Sequence, residues 1–277
     1  MTTLSHNYLR ALEIDPADYH LGENELATDG LELLRLIHQR HVTRYSFNNL
    51  AVALQQEMPL DTEALYNKIV VQQRGGYCFE HNKLAFEVMT ELGFNPRILM
   101  GRVIYNRDVE VPRTHRISLL TLGDEEYIVD VGFGHFGPRF PLKLELGLVQ
   151  DQGDNCYRIE QNQRGEYCFQ ILKEGEFFTL YTFDRARYNE ADCETGHFYS
   201  HKHPQAGFVN NLVVCRKFDD HTLSLRNGEI HHLSRGETRI ETIDSAPALQ
   251  DKLASRLAVD LDLAVAEYLF DRFVRSL

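Results

Sequence analysis

No stretch of about 18 apolar residues occurs in the chain, which excludes a transmembrane helix. The start, Met1-Thr2-Thr3-Leu4-Ser5-His6-Asn7, has neither a basic n-region nor an apolar h-region, so no secretory signal is expected. Basic residues are the minority: 29 Lys and Arg against 41 Asp and Glu give a net charge of −12. That balance argues against nucleic acid as a partner, and it obliges any polyanionic cofactor to find a locally basic pocket. Cysteine is scarce and scattered, at Cys78, Cys156, Cys168, Cys193 and Cys215. No pair has Cys-x-x-Cys spacing, so no structural zinc site and no metal are expected. An odd number of unpaired thiols fits a reducing, cytoplasmic compartment. Neither a solenoid period nor a low-complexity tract is present.

What is present reads as three regions. At 277 residues the chain can bury a sizeable core. Residues 8–14 and 30–42 have helical periodicity; in the second, Leu31, Leu34, Ile37, His38 and His41 recur at intervals of three and four. His38 and His41 could suggest a metal pair, but with no third ligand nearby they read as residues of a solvated or core-edge helix. Residues 45–50 read as a loop, and a helix is expected from Asp61 or Thr62 to about residue 73. Another begins at Cys78 and ends at Leu92-Gly93-Phe94-Asn95-Pro96, where Gly93 supplies the left-handed cap and Pro96 cannot continue the helix. Short β-rich runs follow at 97–103, 116–122, 127–131, 157–160, 167–172 and 177–183, with a turn at Gly123-Asp124. They predict a mostly antiparallel sheet, closed as a small barrel. Strands at 208–216, 221–226 and 231–242, then helices at 246–258 and 262–276, complete the chain. The expected fold is α+β, with residues 1–93 helical, 94–205 a β-barrel and 206–277 an α/β unit.

The chemistry centres on Arg74-Gly75-Gly76-Tyr77-Cys78-Phe79-Glu80-His81-Asn82. A cysteine at a helix N-terminus, entered through glycines, sits where the helix dipole favours a thiolate. Such a nucleophile needs a base and a group to orient that base. Of the 13 histidines, His115 in Pro112-Arg113-Thr114-His115 opens a strand, and Asp130 ends the next. If the two strands form a hairpin, His115 lies beside Asp130, and an aspartate flanked by Ile128, Val129 and Val131 gains a partner for its charge. Taken singly, each has a plain structural reading: a buried cysteine is a small hydrophobe, and an aspartate after a strand is a turn residue. Arg164-Gly165-Glu166-Tyr167-Cys168-Phe169 nearly repeats the motif, but in a β context with no helix to follow, so Cys168 reads as a strand residue.

Three ordered motifs, Arg-Gly-Gly-Tyr-Cys-Phe-Glu-x-Asn, Pro-Arg-Thr-His and Asp-Val-Gly-Phe-Gly, resemble those of the arylamine N-acetyltransferase family, in order and in spacing, over nearly the whole chain. The resemblance implies a helical first domain, a β-barrel second domain, an α/β lid and a papain-like core with a catalytic Cys78, His115 and Asp130. It implies acetyl-CoA as co-substrate, an acetyl-cysteine intermediate in a ping-pong reaction, and a small aromatic amine or hydrazine as acceptor, as in xenobiotic metabolism. Phe47, Phe133 and Phe208 match aromatics of the family's amine pocket, and Gly132 and Gly134 lie where the CoA arm enters, although turn chemistry alone also accounts for the glycines. A monomer or weak homo-oligomer, with no membrane partner, is expected.

The chain departs from the pattern at four places. Ala11 stands where the family has arginine and Asn48 where it has glutamate, a charge pair lost together and so leaving neither charge stranded. His135 and Ala206 replace a glycine and a serine in the region expected to hold CoA. These changes keep a rival reading open, an amide synthase of the same fold with another acyl donor. A papain- or transglutaminase-type hydrolase and a non-catalytic binding protein are further alternatives; the intact set of Cys78, His115 and Asp130 counts against the last.

Overall fold

A computed structural model describes residues 3–19, 26–235 and 237–275. The first region comprises α1 (Leu4–Ala11), α2 (Leu26–Arg44), the two-residue strand β1 (Phe47–Asn48), and the helices α3 (Leu50–Ala53), α4 (Thr62–Tyr66) and α5 (Cys78–Glu91). Helix α1 starts four residues before the predicted position, because the Thr3 side chain accepts the His6 N–H and caps it there. The helix expected to run to about residue 73 is α4 followed by a π-helical turn at Asn67–Val71. This wide turn leads into the Arg74-Gly75-Gly76 loop. Tyr8, Leu9, Leu34, Ile37, Leu84 and Val88 pack as one core, which reaches Leu120 and Val129 of the sheet region.

The second region carries β2 (Arg97–Val103), β3 (His115–Leu122), β4 (Glu125–Val129), β5 (Leu142–Lys143), β6 (Gln150–Asp151), β7 (Cys156–Gln161), β8 (Tyr167–Lys173) and β9 (Glu176–Phe183). Its sheet order is β5-β4-β3-β2-β9-β8-β7-β6. The two ends meet through side chains rather than a backbone ladder. The Gln150 amide accepts from Lys143 N at 2.9 Å and donates to Lys143 O at 3.0 Å. The Gln152 amide does the same for Phe140, at 3.1 and 3.0 Å. Each glutamine stands in for a peptide group, so the closing edges β5 and β6 are satisfied without a long strand pair.

Helix α6 (Glu190–Lys202) leads into the lid, which has α7 (Gly207–Asn210), β10 (Val213–Lys217), β11 (His221–Arg226), β12 (Glu229–Ser234) and β13 (Glu237–Thr242), and closes with α8 (Ala246–Leu257) and α9 (Leu263–Phe273). The strand expected over 208–216 begins only at Val213, and Phe208 belongs to a single helical turn. Helix α6 escaped prediction because its buried face, at i, i+3, i+4 and i+7, consists of Cys193, Gly196, His197 and Ser200. That spacing is helical, but the residues are not the apolar ones that signal a core face. The lid sheet has the order β1-β10-β11-β12-β13, so its first strand comes from the helical region. Residues 45–50, expected to be a loop, supply that strand and the start of α3.

Candidate active site

Helix α5 places Cys78 at its first position. Tyr77 precedes it in extended conformation, and its N–H is held by the Glu80 carboxylate at 3.1 Å. Glu80 is buried and takes its second bond from Lys68 at 2.5 Å. The loop before the helix is fixed from the other side by Asn48, whose amide donates to the Arg74 carbonyl at 2.9 Å. Gly75 has φ +62°, and a Cβ there would lie 1.9 Å from the Ser46 carbonyl oxygen, so only glycine passes. The chain therefore enters the helix in one conformation, with Cys78 Sγ 3.6 Å from the carbonyl oxygen of Thr114, the residue before His115.

The predicted hairpin forms. Strands β3 and β4 pair with Ser118 opposite Val129, joined across Gly123 and Asp124, and this register makes His115 and Asp130 diagonal neighbours. His115 Nε2 lies 2.7 Å from Asp130 Oδ2, with both side chains buried. The other ring nitrogen, Nδ1, is thereby left for a second partner. Asp130 also accepts from Asn82 Nδ2 at 2.9 Å and from Gly132 N at 3.1 Å. Burial alone would raise its carboxyl, but the His115 charge and these three hydrogen bonds bring it below the ordinary value. Asn82 is a residue the sequence reading passed over. It lies one turn after Cys78 on the same face of α5, and besides Asp130 it binds Arg116 O at 2.7 Å and Val131 N at 2.9 Å. One amide thus ties the Cys78 helix to β3 and to the segment that follows β4.

Burial, and then the Asp130 charge, pushes the Cys78 thiol up, while the Phe79 and Cys78 N–H groups of the first helical turn pull it down. A solitary thiolate is disfavoured here, so the anion requires a cation formed beside it. Gly132 lets the parts meet: a Cβ there would lie 3.0 Å from Cys78 Cα and 2.8 Å from Asn82 Nδ2. Gly134, at φ +88°, lets the chain run against the Phe47 ring, which a Cβ would approach to 3.1 Å. Phe47 and Phe208 have ring centroids 6.1 Å apart, with Tyr77 5.4 Å from Phe208. The Phe133 ring centroid lies 5.1 Å from that of His115. Cys168 is a β8 residue paired with Glu160 and Thr182.

His38 and His41 are not on a solvated or core-edge helix face. Both are fully buried, because each has a hydrogen-bond partner for both ring nitrogens. No group of three or more His, Cys, Asp or Glu side chains able to hold a metal occurs among the described residues.

A family model described as N-acetyltransferase matches residues 30–266. The arylamine N-acetyltransferase of Escherichia coli K12 is 36% identical over 212 residues, covering 76% of this chain and 75% of that protein. The chain belongs to the arylamine N-acetyltransferase family. Among solved structures, the Salmonella typhimurium arylamine N-acetyltransferase superposes with a TM-score of 0.88 at 30% identity, covering 99% of this chain and all of that one. The Mycobacterium marinum arylamine N-acetyltransferase in complex with CoA superposes with a TM-score of 0.86 at 29% identity, covering 96% of this chain and 98% of that one.

Burial first, and then the positive charges of Lys217, Lys173 and Arg226, push the pKa of His135, where the family pattern has glycine, down to about 3 and keep the ring neutral. Lys173 Nζ lies over the rings of Phe136 and Phe178, at 4.5 and 5.0 Å from their centroids. The cations come from both the barrel and the lid sheet. Tyr105, whose ring is 6.0 Å from Phe133, has its pKa pushed up to about 12 by burial, with Arg226 lowering it and Cys215 and Cys78 raising it.

Proposed function

We propose that this protein transfers an acetyl group from acetyl-CoA to aromatic amines, hydrazines or N-hydroxyarylamines by way of an acetylated Cys78. The observation that carries the reading is the buried His115–Asp130 pair at 2.7 Å, set beside a cysteine at the first position of a helix. His115 takes the Cys78 proton on Nδ1, and the imidazolium supplies the cation that the buried thiolate lacks. Asp130, bound to Nε2, fixes the ring and balances its charge. The thiolate attacks the acetyl carbonyl, and the N–H groups of the first turn of α5 stabilise the oxyanion. The CoA thiol leaves with the proton from His115. The amine then attacks the acetyl-cysteine, His115 accepts its proton, and Cys78 is released. Aromatic amines suit this step because they are neutral and nucleophilic near pH 7.

The cations around His135 fit the anionic part of the donor, and Phe47, Phe133 and Phe208 fit an aromatic acceptor. The free thiols fit a cytoplasmic enzyme. The test is an intact-mass measurement after incubation with acetyl-CoA and no amine. A gain of one acetyl group is expected, and none in Cys78→Ala. No gain, together with no CoA release on adding 5-aminosalicylate or isoniazid, would exclude acetyl-CoA as donor and leave the amide-synthase reading.

A further inference from the structure

His38 and His41 lie one turn apart on α2, and the reaction above uses neither. His38 Nδ1 is 2.9 Å from the carbonyl oxygen of Arg139, and its Nε2 faces the Asp130 N–H at 3.4 Å. His41 Nδ1 bonds the Tyr8 hydroxyl, and its Nε2 is 2.7 Å from His81 Nδ1. His81 Nε2 in turn is 3.2 Å from the carbonyl oxygen of Ser46. That same oxygen accepts the Gly76 N–H at 3.3 Å, two residues before Cys78. We infer that His38 and His41 are positioning residues, a bracket of neutral imidazoles on one helix that sets the nucleophile's loop and the Asp130 backbone relative to each other. The inference rests on the reading of Cys78 and Asp130 given above.

The hydrogen-bond polarity is determined by the two carbonyls, which can only accept. His81 therefore carries its proton on Nε2 and offers a lone pair on Nδ1. His41 must donate to that lone pair from Nε2, and so accepts from Tyr8 on Nδ1. Reversing the chain would protonate both nitrogens of His81, an imidazolium whose influential charged neighbour is the Lys68 cation. On the other arm, His38 donates from Nδ1 to Arg139 and accepts from Asp130. Each ring thus uses one donor and one acceptor, and every member is buried. A network with one allowed polarity has one low-energy geometry, which is the property a positioning frame requires. Helix α2 is the common post: one arm ends at the loop that aims Cys78, the other at the backbone of the residue that orients His115.

The experiment has two arms. Nitrogen-15 NMR of the native protein at pH 7 should show His41 and His81 as neutral Nε2–H tautomers and His38 as a neutral Nδ1–H tautomer. In His41→Phe, which keeps the ring volume but loses both bonds, kcat and the rate of Cys78 alkylation by iodoacetamide should fall about ten- to hundred-fold, as expected for a displaced reacting group, with KM for the amine unchanged. His41→Gln, which keeps the donor towards His81, should recover most of the loss. Should His41→Phe fail to fold, Tyr8→Phe removes only the first donor and is read in the same way, with a smaller fall expected. Opposite tautomers, charged rings, or a folded variant with rates within about two-fold of the parent would overturn the bracket alone. Acyl transfer retained in Cys78→Ala would instead remove the reaction itself, and the bracket's role with it.

Discussion

The site lies between two seams built in opposite ways. On the helical side, His38 of α2 and Asn82 of α5 meet the barrel while His41 and His81 join the two helices to each other, all four buried and held by hydrogen bonds of fixed direction. On the lid side, the barrel rim meets the lid sheet through charges: Lys217 with Asp154 at 3.3 Å, Arg139 with Asp219 at 3.0 Å, and Arg235 with Asp151 at 2.9 Å. Only the first of these pairs is buried on both sides; Asp219 and both members of the third are exposed. Exposed pairs contribute little and weaken with salt, whereas a satisfied buried network resists rearrangement. Arg139 belongs to both seams: its carbonyl accepts from His38, while its guanidinium reaches Asp219. The contrast separates two kinds of join: the neutral seam fixes His38, His81 and Asn82 against the backbone around Asp130 and Gly76, and the charged seam joins barrel and lid by ion pairs that are mostly exposed.

Asp130 is held from the neutral seam, so changing it should give the largest effect. Asp130→Asn is expected to lower kcat about 10³- to 10⁴-fold, measured by CoA release, because the amide cannot balance an imidazolium on His115. A loss under about ten-fold would mean that the pair only supports the fold.

Acid should break the neutral seam next. Burial lowers His38 and His81 to about 4 and His41 well below its ordinary value. Between pH 6.5 and about 4 the unfolded chain binds protons on these rings that the native one does not, so stability falls as pH drops through that window. Each such ring costs up to about 1.4 kcal/mol per pH unit, and the loss stops once the native rings protonate as well. Urea titrations from pH 7.5 to 4.5 check this, and a flat profile would mean the rings are charged in the fold.

Gly132→Ala should wedge the neutral seam against Cys78 and Asn82, at a cost of about 1–3 kcal/mol in urea unfolding, with slower alkylation of Cys78. The charged seam should give the smallest change: Arg235→Ala is expected to alter stability by under about 1 kcal/mol. Raising salt to about 0.5 M should raise KM for acetyl-CoA several-fold and leave KM for the amine unchanged. Equal responses of the two constants would erase the distinction between the seams.

Much of this was legible in the sequence, for identifiable reasons. The β3–β4 hairpin is local, with its turn marked by Gly123-Asp124, so the juxtaposition of His115 and Asp130 follows from pattern alone. Cys78 is marked by the glycines that admit it. Other features depend on contacts far apart in the chain. His38 and His41 read as residues of a solvated or core-edge helix, and their burial becomes favourable through Tyr8, His81, Asp130 and Arg139, partners far away in the sequence. The closure of the barrel by Gln150 and Gln152 has no periodicity to betray it. Helix α6 hides its buried face in cysteine, glycine, histidine and serine, although Asn189 and Asp192, which cap it reciprocally, were a readable start signal.

Strand β1 is only two residues long, yet it bears on how separable the parts of this protein are. Phe47 and Asn48 pair with Cys215 and Val214 of the lid sheet on one side, while Asn48 N bonds Gly76 O, two residues before Cys78, on the other. The lid is therefore no interchangeable module. A C-terminal fragment cut at residue 206 would expose the unpaired edge of β10, and a chain lacking that fragment would lose the strand that braces β1 beside the Gly75-Gly76 loop. Grafting a lid from a relative to change substrate range would have to carry residues 45–50 with it, although they lie far away in the sequence.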